Sequence, residues 1–119
     1  MNSTKKEGDR GEVIAIEYLQ KKGYKIIETN YVFGRFWEVD IIAKWANRYC
    51  FVEVKYRNNW AYGTPEESIS PSKLRKIRKT IEFYTMKNHI GFENIQLDVI
   101  AILKEETSYK LTHYKNIEI

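Results

Sequence analysis

Three residues of this chain could act together chemically: an Asp and a Glu-x-Lys, all within the stretch Phe36–Arg57. The stretch reads as two β-strands joined by a turn. Period-2 alternation puts Glu38, Asp40 and Ile42 on one face of the first strand, with Trp37, Val39, Ile41 and Ala43 on the other. On the second strand Tyr49, Phe51, Glu53 and Lys55 share a face, backed by Cys50, Val52 and Val54. With Ala46-Asn47 as a two-residue turn, the register sets Asp40 opposite Glu53 and Glu38 opposite Lys55. Cross-strand Cβ atoms lie about 5 Å apart, and like charges there are destabilising. Two adjacent carboxylates need a proton, a cation or bulk water to coexist. A hard divalent ion meets that need and takes oxygen ligands. A lysine two residues along the same face is placed to act on a water or a phosphate beside that ion. The pattern also fits a solvated hairpin face with a Glu38–Lys55 ion pair. A register slip of one residue would turn Glu53 and Lys55 away from Asp40.

Other elements must position this hairpin. Thr4-x-x-Glu7 and Asp9-x-x-Glu12 both resemble capping boxes, so a helix is predicted to begin near Lys5. Its apolar stripe runs through Glu12, Ala15, Ile16 and Leu19, widened by Val13 and Ile14, and Lys21, Lys22 and Gly23 close it. Glu12 is the odd member, a carboxylate in line with buried positions. Tyr24–Tyr31 reads as a strand. Asn58–Glu67 reads as a loop whose Trp60 and Tyr62 either stack on bases or pack against the domain. Ser70-Pro71 is a helix start, with Ser as N-cap and Pro at the first helical position. The helix that follows buries Leu74, Ile77, Ile81 and Tyr84, and its first half carries Lys73, Arg75, Lys76, Arg78 and Lys79. Those cations read as a phosphate track or as a solvated face. Lys73 differs from the rest, because it lies along the edge of the buried stripe. Ile95–Leu103 is an apolar strand and Tyr109–Tyr114 a last one. The order α-β-β-β-α-β-β predicts a single α/β domain over residues 1–119, with a mixed central sheet flanked by helices.

Composition narrows the class. The 119 residues suffice for one core, and 43% hydrophobic with 30% charged residues is ordinary for a globular protein. There is no apolar run of spanning length and no secretory signal, which points to the cytoplasm. The single cysteine, Cys50, excludes an internal disulfide and a cysteine-built zinc site. The formal charge is +4. If Asp40, Glu53 and other acids are gathered into a site, the remaining surface is more basic than this total, which suits a polyanion partner. His89 and His113 have no His or Cys partner in sequence and receive no site role. No phosphate-binding glycine loop, dinucleotide fingerprint or nucleophile elbow is present.

Taken together, an acid on a first helix, Asp on one strand, Glu-x-Lys on the next and then a basic helix resemble the PD-(D/E)XK nuclease superfamily. More narrowly, the chain resembles the YraN-like family of small bacterial proteins, predicted endonucleases related to archaeal Holliday junction resolvases. The match is carried by Gly8, Gly11-Glu12, Ala15, Tyr18-Leu19, Gly23-Tyr24, Asn30, Glu38-x-Asp40 and Phe51-Val52-Glu53-Val54-Lys55-x-Arg57. Gly63, Pro65, Glu67, Lys73 and Asp98 complete it, over roughly residues 8 to 103. The chain departs at Trp37, where the family usually has Gly, and at Gln96, where it usually has Arg. The family's C-terminal ending is not clear in KNIEI. Trp37 falls opposite Asp40 and is expected to leave the site untouched. Gln96 removes a charge that could have paired with Asp98, and no role is assigned to Asp98.

The resemblance implies a restriction-endonuclease-like fold and a Mg²⁺- or Mn²⁺-dependent endonuclease acting on DNA, with branched, Holliday-junction-like DNA as one substrate form. It implies that Asp40 and Glu53 ligate the ion, with the Val54 carbonyl as a third candidate and Glu12 reaching the site directly or through water. Lys55 would orient or deprotonate the attacking water and Lys73 hold a phosphate, with Arg57, Arg75, Lys76 and Lys79 along the DNA. A resolvase-like enzyme needs two sites, hence a homodimer, although no interface signature is legible. Two alternatives remain: a nucleic-acid-binding module that keeps the nuclease fold without turnover, and an interaction partner that docks through the basic helix.

Overall fold

The computed structural model describes residues 3–58 and 69–118, with side chains from Arg10 onward. The predicted loop residues 59–67, with Trp60, Tyr62, Gly63, Pro65 and Glu67, lie outside the described residues, as do Gly8 and the Thr4…Glu7 side chains. Helix α1 spans Ser3–Lys21, strand β1 Lys25–Val32, β2 Glu38–Trp45 and β3 Arg48–Arg57. Helix α2 spans Pro71–Lys87, followed by a 3₁₀ turn at Phe92–Asn94, β4 over Ile95–Lys104 and β5 over Tyr109–Ile117. The sheet order is β1-β2-β3-β4-β5. Only β3 and β4 run parallel, and α2 lies in the connection that a parallel pair requires. This is the predicted α/β class with a five-stranded mixed sheet, consistent with a restriction-endonuclease-like fold.

The helix ends follow their local chemistry. Gly23 adopts φ +96°, and the Gly23 and Tyr24 N–H groups bond the Gln20 and Leu19 carbonyls at 3.0 and 2.9 Å. This glycine-terminated ending satisfies carbonyls that the last turn leaves open. At α2 the Ser70 hydroxyl accepts from the Lys73 N–H at 3.2 Å, with Pro71 in the first turn, as predicted. The Asp9…Glu12 pair does not start a helix, because α1 is already under way from Ser3.

One helix packs on each face of the sheet. Ala15 and Leu19 of α1 join Ile41, Ala43, Cys50, Val52, Ile100 and Ile102 in one core cluster. Ile77, Ile81 and Tyr84 of α2 join Val39, Ile42, Phe51, Ile95 and Leu97 in the other. Strands β3 and β4 therefore bury both faces and read as continuous apolar runs. Val13, predicted to widen the buried stripe of α1, is instead 55% exposed. Strand β2 also breaks the predicted alternation. Val39 sides with Ile42 under α2 while Ile41 and Ala43 face α1, so the two-residue period fails at Asp40.

Candidate active site

The site begins at that break. The β2–β3 hairpin keeps the predicted register from Trp45–Arg48 to Ile41–Val52, with Ala46 at φ +55° in the turn. Beyond Ile41 the Asp40 carboxylate, rather than a backbone carbonyl, accepts the Val54 N–H at 2.7 Å. The strands part there and leave Asp40 at the mouth of a fork. Helix α1 delivers Glu12 to the same place, one turn before the buried Ala15. Asn30 of β1, at φ +53°, donates its amide to both Glu12 oxygens at 3.1 Å and to Glu38 Oε2 at 2.9 Å. A left-handed conformation is one that Asn tolerates better than most residues. The result is three carboxylates, Glu12, Glu38 and Asp40, each offering an oxygen within 4.8 Å of the others.

Glu53 approaches from the α2 side of β3. Its side chain is only 3% exposed. Oε1 accepts the Trp37 indole N–H, whereas Oε2 is buried with no hydrogen-bond partner among the described residues. Burial, then the Asp40 charge, pushes the Glu53 carboxyl up to about 8. Burial, then Glu12 and Glu38, pushes Asp40 up to about 7, against the pull of the Val54 N–H and Lys55. Lys55 is moved the other way: burial lowers its pKa, Lys73 and Arg57 add to that, and Glu53 and Asp40 oppose it. In all three the largest cause is burial, which disfavours the charged form of each group, and the neighbouring acids add to it for Asp40 and Glu53. Lys73 sits beside these groups, its ammonium 5.6 Å from the Trp37 ring.

The structure thus gathers Glu12, Asp40, Glu53, Lys55 and Lys73 into one region. Its three-oxygen cluster, however, is Glu12–Glu38–Asp40 and does not include Glu53. Glu38 forms no pair with Lys55; it joins the acids, tied by Asn30. Trp37, expected to leave the site alone, instead caps Glu53, because the alternation that placed it opposite Asp40 does not hold through this fork. Val54 contributes its N–H to Asp40. Arg57 is exposed and donates to its neighbour's carbonyl at 3.0 Å, and Arg75 and Lys76 are exposed on α2. Lys79 lies against the Phe36 ring at 5.6 Å. Sequence reasoning missed Asn30 and Glu38 as site residues. Their signals were present, as an Asn between strand positions and an acid two residues before Asp40.

Asp98 and His113 also find partners in the fold. Asp98 is fully buried and accepts from Gln96 at 2.8 Å and from the Asn116 N–H at 2.9 Å, and it bonds His113 Nε2 at 2.7 Å. His113 Nδ1 meets the Tyr18 hydroxyl at 2.9 Å, and Gln96 accepts from Arg48 at 2.7 Å. Gln96 therefore bridges Asp98 and Arg48 through its amide, and no arginine pairs with Asp98 directly among the described residues.

Residues 11–102 match the family described as "Uncharacterised protein family UPF0102". The chain is similar to a UPF0102 protein of Flavobacterium psychrophilum, 38% identical over 92% of this chain and 90% of the relative. It is similar to a UPF0102 protein of Alkaliphilus oremlandii at 41% identity, covering 94% and 97%. A UPF0102 protein of Clostridioides difficile is 40% identical over 96% and 97%. No helix among the described residues is long and apolar enough to cross a membrane.

Proposed function

The chain belongs to the UPF0102 family, and on that premise we propose that it is a metal-dependent endonuclease that hydrolyses phosphodiester bonds in DNA. The observation that carries the reading is the convergence of Glu12, Glu38 and Asp40 from α1 and β2, beside a buried Glu53 whose Oε2 has no hydrogen-bond partner among the described residues. An all-oxygen set of this kind suits Mg²⁺ or Mn²⁺ and not a soft metal. A divalent cation also answers the electrostatics: both acids are raised in pKa, and bringing in positive charge reverses that shift.

Asp40 and Glu53 would hold the ion, with Glu12, Glu38 and the Val54 carbonyl as further oxygens. When bound, the ion supplies Lewis-acid polarisation of the phosphoryl group and a lowered pKa for its water. The chain's own residues do the rest. Asn30 fixes the Glu12 and Glu38 carboxylates. The Val54 N–H fixes one Asp40 oxygen, and Trp37 one Glu53 oxygen. Lys55, whose burial favours the neutral amine, orients the attacking water or takes its proton. As water adds to phosphorus and the bond to the leaving oxygen breaks, Lys55 and Lys73 offset the charge that gathers on the phosphoryl oxygens. Exposed Arg57, Arg75, Lys76 and Lys79 would track the DNA backbone.

The test is cleavage of linear and branched DNA with Mn²⁺ by the wild type, Asp40→Asn and Lys55→Met, alongside isothermal titration of Mn²⁺. The expected result is cutting by the wild type, cutting about 100-fold slower by Lys55→Met, and both cutting and metal uptake lost in Asp40→Asn. Tight DNA binding by all three proteins with no cutting by any would replace this reading with the nuclease-fold binding module.

A further inference from the structure

Beside the acids lies a feature that the hydrolytic reading does not use. The β1–β2 turn runs Phe33-Gly34-Arg35-Phe36, closed by a Phe36 N–H to Phe33 carbonyl bond of 3.0 Å with Gly34 at φ +58°. This turn fixes two rings together: Phe33 and Phe36 stack at 5.5 Å and 24°. Phe33 in turn lies flat on Phe83 of α2, at 3.8 Å and 8°. The three rings line an open groove of about 260 Å³ with Lys79, Glu82 and Met86. Phe36 is 40% and Met86 70% exposed, and together with Phe33 and Phe83 they form one contiguous apolar surface rather than scattered residues. Glu82 is held by Arg78 at 3.2 Å, which partly neutralises the one acid on the rim.

The order of chemistry along α2 indicates what fills the groove. Positions 75, 79, 83 and 86 recur at helical spacing on one face. That face is cationic at Arg75 and Lys79 and apolar at Phe83 and Met86. Charge on one stretch and flat apolar rings on the next is the pairing that single-stranded nucleic acid needs: phosphates on cations and unstacked bases on aromatic faces. The groove is also close to the acids in the chain. Phe36 precedes Trp37, which caps Glu53, and Glu38, which belongs to the three-carboxylate cluster.

We propose that the Phe33–Phe36–Phe83 groove stacks an unpaired nucleobase, so that the site selects DNA with a single-stranded segment next to the cut. This rests on the endonuclease reading for the cut, but not for the binding. A fully paired duplex keeps its bases stacked inside and offers the groove nothing. A flap, a gap or a frayed branch supplies a free base, and Lys79 receives the phosphate beside it.

The experiment uses the full chain without metal, so that nothing is cut. Fluorescence anisotropy compares a single-stranded 12-mer with the matching duplex, each carrying 2-aminopurine. Phe36→Leu keeps the apolar character and removes the ring. It is expected to weaken single-strand binding about ten-fold and abolish the 2-aminopurine quench, while duplex binding stays within about two-fold. Phe36→Trp should restore both. An equal loss on duplex and single strand, no loss at all, or no single-strand binding by the wild type overturns the proposal. So does sedimentation showing that Phe36→Leu turns a wild-type dimer into a monomer, since the groove would then belong to a second copy. Parallel Mn²⁺ assays separate the two readings. Ring-dependent binding without cutting sinks the endonuclease alone, and cutting of flap and duplex alike by wild type and Phe36→Leu sinks the groove alone.

Discussion

Two buried carboxylates in this protein make opposite arrangements for their charge. Asp98 is sealed in the sheet on the α1 side, and both of its oxygens are engaged, by Gln96, the Asn116 N–H and His113. Glu53 is almost as deeply buried and leaves one oxygen with no hydrogen-bond partner among the described residues, while Asp40 close by faces two further carboxylates. A fully satisfied buried acid is a structural part, held by its donors. An under-satisfied group of acids is destabilising in itself, and a cation is what would complete it under the proposed reading. The difference separates scaffold from site more clearly than burial or residue type does.

The comparison is broken most forcefully by cutting into the satisfied side. Asp98→Ala leaves His113 and Gln96 buried without their acceptor and should cost about 3–5 kcal/mol of stability, read by urea unfolding. A loss no larger than that of a surface substitution would remove the distinction. On the other side, Lys55→Met should lower the DNA cleavage rate about 100-fold with little change in the unfolding midpoint. A parallel loss of stability would make Lys55 structural.

A third test uses pH. Asp40 at about 7 and Glu53 at about 8 stand above their ordinary 3.8 and 4.5. The folded protein therefore holds protons that the unfolded chain has released. The stability tied to those protons is fully present below about pH 4 and is lost as pH rises to about 8. The melting temperature of the metal-free protein should fall over that window. Added Mn²⁺ should raise it more at pH 8 than at pH 5, because metal and proton compete for the same oxygens. A melting temperature independent of pH, with no Mn²⁺ response, would count against the acid cluster as a cation site. The smallest expected effect is Glu53→Gln without metal at pH 8, a gain on the order of 1 kcal/mol. The same substitution should abolish the Mn²⁺ response.

Much of this was legible in the residues. The Ala46-Asn47 turn set the β2–β3 register, Ser70-Pro71 marked the start of α2, and Glu12 stood out as an acid on a buried stripe. What was not legible came from a departure or from distance. Alternation assumes an unbroken ladder, and at Asp40 a carboxylate takes the N–H that a carbonyl would have taken. Past that point Val39 lies on the α2 side and Trp37 reaches Glu53, whereas Glu38 stays with Asp40 as alternation had it. His113 had no partner at short spacing, yet it meets Asp98 across the β4–β5 pair and Tyr18 from α1.

Local periodicity, turn chemistry and capping were therefore enough to specify the elements and to set Asp40, Glu53 and Lys55 on one hairpin face, because each depends on neighbours a few residues away. Glu12 stood out only as an acid on a buried stripe, and its place at a site came from the family resemblance. Which oxygens converge, and which buried acid ends with both oxygens bonded and which with one left over, depended on how α1, β1 and the β2–β3 fork meet. Those are contacts between residues far apart in the chain, and no spacing encodes them.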